Sequence, residues 1–102
     1  MKKRNIILIG MPGAGKSSVG VILAKALGYE FIDTDLVIQH REKRLLREII
    51  ADEGNEGFLA IENEVNATLE ADESVIAPGG SAIYGKEAME HFKEIGTIVY
   101  LK

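Results

Sequence analysis

A chain of 102 residues is the size of one domain, and its 12 basic and 16 acidic side chains leave a net charge of −4. Apart from Lys2-Lys3-Arg4 and the Arg41–Arg47 stretch the basic residues are spread along the chain, so no nucleic-acid partner is indicated; the absence of cysteine excludes a disulfide framework, a thiolate metal site and a cysteine nucleophile. No apolar stretch is long enough to span a bilayer, and the run after Arg4 is broken by Gly10, Pro12 and Lys16 before it could act as a signal peptide, which fits a soluble cytoplasmic protein with no membrane partner.

Asn5-Ile6-Ile7-Leu8-Ile9 opens the chain as a short, β-branched apolar run, predicting a strand over 5–10 that is buried on both faces of a parallel sheet. Directly after it comes Gly10-Met11-Pro12-Gly13-Ala14-Gly15-Lys16-Ser17, the G-x-x-x-x-G-K-[ST] pattern of a phosphate-binding loop. Glycines let such a backbone curl so that successive N–H groups point at phosphate oxygens, and Lys16 adds a mobile positive charge. Ser17 is placed to give its hydroxyl to Mg²⁺, while the helix that begins here turns its positive dipole end toward the same anion. Gly13, Ala14, Gly15, Lys16, Ser17 and Ser18 are therefore the expected nucleotide cradle. The helix over 16–27 is expected to bury Val19, Ile22, Leu23, Ala26 and Leu27, with Gly28 as its stop.

A strand over 29–33 delivers Asp33-Thr34-Asp35 at its end. Two acids two positions apart can face different ligands, one helping to hold hydrated Mg²⁺ and the other orienting or deprotonating an attacking hydroxyl. The plainer alternative is that Thr34 or Asp35 caps the next helix. Helical segments are predicted over about 35–52 and 55–70, separated by the polar turn Asp52-Glu53-Gly54-Asn55-Glu56-Gly57. Arg41 to Glu48 reads as a solvated helix face with mixed charge pairs, Glu62 as either a support for the site or, the favoured reading, solvated helix surface, and His40 and His91 as exposed residues without companions at ligand spacing.

Ser74-Val75-Ile76-Ala77-Pro78 predicts a third strand over 74–78, and the following Gly79-Gly80 offers backbone N–H groups with no side chain in the way of a phosphate or carboxylate. A helix over 86–94 and a strand over 97–101 complete an α/β chain, a parallel sheet with helices on both faces. In such sheets ligands gather at the carboxyl ends of the strands, where the glycine loop, Asp33-Thr34-Asp35 and Pro78-Gly79-Gly80-Ser81 all fall.

In order and spacing, Gly10–Ser17, Phe31-Ile32-Asp33-Thr34-Asp35, Phe58-Leu59-Ala60-Ile61-Glu62 and Pro78-Gly79-Gly80-Ser81 resemble shikimate kinase, a small P-loop kinase family, over the whole chain. The resemblance implies the P-loop fold with a sheet ordered 2-3-1-4 here and 2-3-1-4-5 in the family, MgATP as donor and a hydroxyl of shikimate as acceptor. It further implies Lys16 on the transferring phosphate, Ser17 and Asp33 at Mg²⁺, Asp35 on the acceptor hydroxyls, and Gly79 and Gly80 giving amides to the acceptor, with position 81 needed only for its backbone. Three departures stand out. The family's F-R-x-x-E motif has Leu59 in place of its arginine, its triple glycine ends in Ser81, and the chain reaches Lys102 without the lid arginine and fifth strand, all four arginines preceding residue 48. The expectation is one P-loop kinase domain over 1–102, incomplete at its C-terminal side, with two alternatives: a kinase for a different small hydroxylated acceptor, or a nucleotide-binding fragment without turnover. With no fifth strand beside it, the strand at 97–101 is expected to pair with another copy.

Overall fold

The computed structural model describes residues 4–10 and 16–101, and of Lys16 the backbone alone. Four strands, β1 (Asn5–Gly10), β2 (Glu30–Asp33), β3 (Ser74–Ala77) and β4 (Gly96–Leu101), form one sheet in the order β2-β3-β1-β4 with every pairing parallel. The helices are α1 (Lys16–Leu27), α2 (Thr34–Glu42), α3 (Leu46–Ala67) and α4 (Lys86–Ile95), with a 3₁₀ turn at Ala82–Tyr84. This is the α/β order expected from the alternation of apolar strands and helices.

The sheet is covered on both faces. On one, Leu8 and Val75 pack with Ala24 of α1; on the other, Ile7, Ile9 and Ile76 pack with Ala88, Phe92 and Ile95 of α4. A third cluster, Ile38, Ile49 and Val65, joins α2 to α3 beside the sheet. At the amino ends of the strands the buried Asn5 side chain ties three segments together: Nδ2 donates to the carbonyls of Ala71 and Ile95, both at 2.9 Å, and Oδ1 accepts the Ser74 N–H at 3.0 Å.

Three expectations are corrected. Helix α1 does not bury the predicted face: Val19, Ile22, Ala26 and Leu27 are exposed, Ile22 by 70%, whereas Gly20 and Ala24 are buried and Leu23 half-buried. Small residues decide the contact. A Cβ on Gly20 would lie 2.5 Å from Phe31 Cε1, so the helix comes closest to the sheet at Gly20, and the bulkier flank turns away.

The second correction concerns the break between helices, which falls at 43–45 inside the stretch read as one solvated helix. Lys43 adopts φ 56° and ends α2. Glu48 accepts the Leu45 N–H at 2.8 Å and Gln39 accepts that of Leu46 at 2.9 Å, which satisfies the start of α3. Arg44 then bridges Glu42 to Asp52 and Glu53. The turn expected at 52–57 is a kink at Gly54 alone, whose φ of 74° and ψ of 174° lie in a region open essentially to glycine. The helix ends at Ala67, short of 70, where the Thr68 hydroxyl turns back to the Glu64 carbonyl at 2.8 Å.

The third correction is His91, which is half-buried rather than exposed, its Nε2 lying 2.6 Å from the Leu69 carbonyl oxygen; His40 is exposed as expected.

Candidate functional site

Parallel register brings the carboxyl ends of the strands to one edge. Asp33, the last residue of β2, pairs with Ala77, the last of β3, and β1 runs alongside to Gly10, where the glycine loop begins. Gly13, Ala14, Gly15 and the Lys16 side chain lie outside the described residues. Beyond them, Ser17 and Ser18 stand exposed in the first turn of α1, a turn with no acidic residue, so the positive end of the helix is left uncompensated by its own side chains.

Asp33 is the N-cap of α2. Its Oδ1 accepts the Asp35 N–H at 3.0 Å, so the cap falls to Asp33 and not to Thr34 or Asp35. The cap turns the chain sharply at the sheet edge and carries Asp35 toward the loop after β3. There the structure brings Asp35 and Gly79 together, since a Cβ on Gly79 would lie 2.9 Å from Asp35 Oδ1. Gly80 is exposed, and the Gly79 carbonyl accepts the Ala82 N–H at 3.0 Å, which starts the 3₁₀ turn.

Glu62 corrects the reading as helix surface: it is only 2% exposed and sits over the same glycine, its Oε2 being 3.0 Å from the position of a Gly79 Cβ. Its other oxygen, Oε1, accepts the Ser81 hydroxyl at 2.7 Å, so position 81 uses its side chain as well as its backbone. Both were missed because a lone acid in a helix is usually solvated. The signal lay in its neighbours: Phe58, Ile61 and Val65 belong to the core cluster between α2 and α3, and residue 62 lies within a turn of each.

Two adjoining clefts, of about 260 and 330 Å³, share Leu59, Ser81 and Tyr84 as walls. Asn63 borders one of them and joins it to α4, with Oδ1 accepting the Ala88 N–H and Nδ2 donating to Glu87 Oε1, each at 2.9 Å. That donation, with the residue's own backbone N–H and Lys86 nearby, holds the Glu87 carboxyl below the usual carboxylate range.

Among the described residues no three His, Asp or Glu side chains converge as a metal cage. Mg²⁺ suits such a place only if phosphate oxygens and water complete its shell around one or two protein groups, and Ser17 and Asp33 are groups of that kind.

Residues 12–102 match the family model described as shikimate kinase. Shikimate kinase 2 of Yersinia enterocolitica is 38% identical over 99 residues, covering 97% of this chain and 57% of that protein. A shikimate kinase from Acinetobacter baumannii, solved in complex with shikimate, superposes with a TM-score of 0.90 at 39% identity, over 97% of this chain and 56% of that one. The shikimate kinase of Aquifex aeolicus gives 0.86 at 35% identity, over 96% and 59%. The chain thus spans a little over half the length of the relatives it matches.

Proposed function

This chain belongs to the shikimate kinase family, and from that premise we propose that it performs ATP-dependent phosphoryl transfer to a hydroxyl of a small polyhydroxylated metabolite, with shikimate the first acceptor to test. The observation that carries the reading is the gathering of Asp35, Glu62 and Gly79 at the sheet edge where β1 ends in Gly10. Transfer of a phosphoryl group asks little covalent chemistry of a protein and much positioning and charge compensation.

MgATP, when bound, supplies the phosphoryl group and a metal ion that offsets its charge. Gly13, Ala14, Gly15, Lys16, Ser17 and Ser18 would hold the phosphates, Lys16 following the group in transit, and Ser17 and Asp33 would face the metal. Two observations fit that assignment: the acid-free first turn of α1, and the position of Asp33 at the end of β2 with one carboxylate oxygen engaged in the cap. Asp35 would accept the proton of the attacking hydroxyl, while Gly79 and Gly80 allow the acceptor to come close to the backbone. A Cβ at Gly79 would collide with Asp35 and Glu62, so only glycine keeps that approach open.

Two further expectations belong to this reading. A reaction that consumes ATP is expected in the cytoplasm. And β4, which pairs only with β1 among the described residues and exposes Val99 and Tyr100, would add a strand from a second copy through residues 97–101.

Acceptor-dependent ADP release in the presence of MgATP and shikimate tests the assignment. Asp35→Asn is expected to lower it by at least 100-fold, the lower end of what a positioned base contributes. Equal rates in the two proteins would remove Asp35 from the mechanism.

A further inference from the structure

The two clefts that meet at Leu59, Ser81 and Tyr84, just after the Gly79-Gly80 turn, differ in charge. The one of about 330 Å³ is lined further by Ile50, Asn55 and Phe58 and by no charged side chain among the described residues. The other, of about 260 Å³, runs on between α3 and the start of α4, where Asn63, Lys86 and Glu87 border it. Among the described residues Lys86 is thus the cation of this space.

Its backbone is held in place from both sides. A Cβ on Gly85 would fall 2.3 Å from Asn63 Oδ1, and the same oxygen accepts the Ala88 N–H at 2.9 Å, so the chain before and after Lys86 is pressed against α3. Glu87 does not take up the lysine's charge: its carboxylate accepts from Asn63 Nδ2 at 2.9 Å, and that bond and its own N–H act on it more than Lys86 does. Lys86 itself makes no ion pair or side-chain hydrogen bond among the described residues. A cation in the first turn of a helix opposes the helix dipole, so α4 gains no stability from it.

Shikimate, the first acceptor to test, carries one carboxylate on a hydroxylated ring. A carboxylate leaving water needs a cation to receive it, and Leu59 offers none. We propose that Lys86 anchors the acid group of the acceptor, which enters the smaller cleft past Leu59 while the ring rests by the Gly79-Gly80 turn. An ammonium on a flexible four-carbon stem suits this task, since it needs no fixed orientation to meet a carboxylate. Lys86 is exposed, so the contact changes affinity severalfold rather than by orders of magnitude.

This inference rests on the phosphoryl-transfer reading for the identity of the acceptor, and experiment separates the two. Calorimetry without nucleotide measures the binding of shikimate and of its reduction product, in which a CH₂OH group replaces the carboxylate; ADP release with MgATP measures transfer. Lys86→Gln is expected to weaken shikimate binding by about three- to fivefold, to leave the alcohol unchanged, and to be rescued by Lys86→Arg, which keeps the charge. Equal loss of both compounds, shikimate binding unmoved by Lys86→Gln or absent from the parent, or a Lys86→Arg protein no better than Lys86→Gln would each overturn the anchor. Charge-selective binding without ADP release would uphold it and overturn phosphoryl transfer. ADP release whose KM for shikimate is the same in Lys86→Gln as in the parent would do the reverse.

Discussion

Asp33 Oδ1 accepts the backbone N–H of Asp35 at 3.0 Å, so the two acids after β2 are mechanically joined: the first holds the turn that aims the second. Charge and capping at Asp33 are separable by substitution. Asparagine caps as well as aspartate, whereas alanine does not, so Asp33→Asn is expected to keep the stability of the parent and Asp33→Ala to lose about 0.5–2 kcal/mol. Urea unfolding reads that difference. Both variants should lose the Mg²⁺ dependence of nucleotide binding, and an Asp33→Asn protein that keeps it would take the metal role away from Asp33.

Lys16 begins α1 directly after the glycine loop. Replacing it with alanine, which keeps the helix start intact, is expected to abolish MgADP binding as measured by calorimetry. Matching affinities in the two proteins would mean that the loop does not hold the phosphates.

The hydroxyl of Ser81 reaches a carboxylate that water scarcely touches. Removing it in Ser81→Ala takes away one buried hydrogen bond to Glu62 Oε1, a change expected to cost about 1–3 kcal/mol. Ser81→Thr, which keeps the oxygen, should recover most of the loss. Denaturation midpoints of the three proteins check this, and a neutral Ser81→Ala would show that the hydroxyl bond carries no weight.

Asn63 caps α4 from a neighbouring helix, since Gly85 offers no side chain for the purpose. Asn63→Ala is expected to destabilise by about 0.5–2 kcal/mol through the lost cap. It should also raise the Glu87 titration toward the ordinary carboxylate value, which NMR can follow. The sign follows from the direction of the shift: a carboxyl depressed in the folded state stabilises above its unfolded pKa and loses that effect as pH falls through its folded pKa. The acid-side fall in stability should therefore be shallower in the variant than in the parent.

Self-association through β4 has a direct test in sedimentation at several concentrations. The expected outcome is a mass that rises with concentration and that Val99→Pro returns to the monomer, because proline is a poor member of a paired strand. A parent that stays monomeric at high concentration would falsify the pairing, as would association that Val99→Pro leaves intact.

The strand and helix at the start of the chain were legible because local chemistry alone specifies them, and the parallel order followed from alternation of apolar strands with helices. What stayed hidden depended on tertiary contact. Helix α1 carries Val19, Val21, Ile22, Leu23 and Leu27, too apolar all round for periodicity to mark a buried face, and Gly20 with Ala24 made the choice by close approach. Glu62 looked like any solvated acid until α3 was packed against the loop after β3, and Ser81 looked like a substitute glycine until its hydroxyl met that acid. The break at 43–45 arises from Lys43 in a left-handed conformation and from side chains seven and three positions away from the residues they cap.

The Asn5 amide lies at the amino ends of the strands, opposite the candidate site, yet it is the datum from which the carboxyl edge is measured. By holding Ser74, Ala71 and Ile95 to a single side chain, it sets β3 and β4 to a common zero against β1. Strands advance about 3.3 Å per residue, so a one-residue slip at this end would carry the Gly79 loop the same distance past Gly10 at the end of β1 and turn every inward side chain outward. Alignment across the candidate site is thus a property of an amide at the far end of the rulers, and drift there would appear as misregistration of that site rather than as a missing contact.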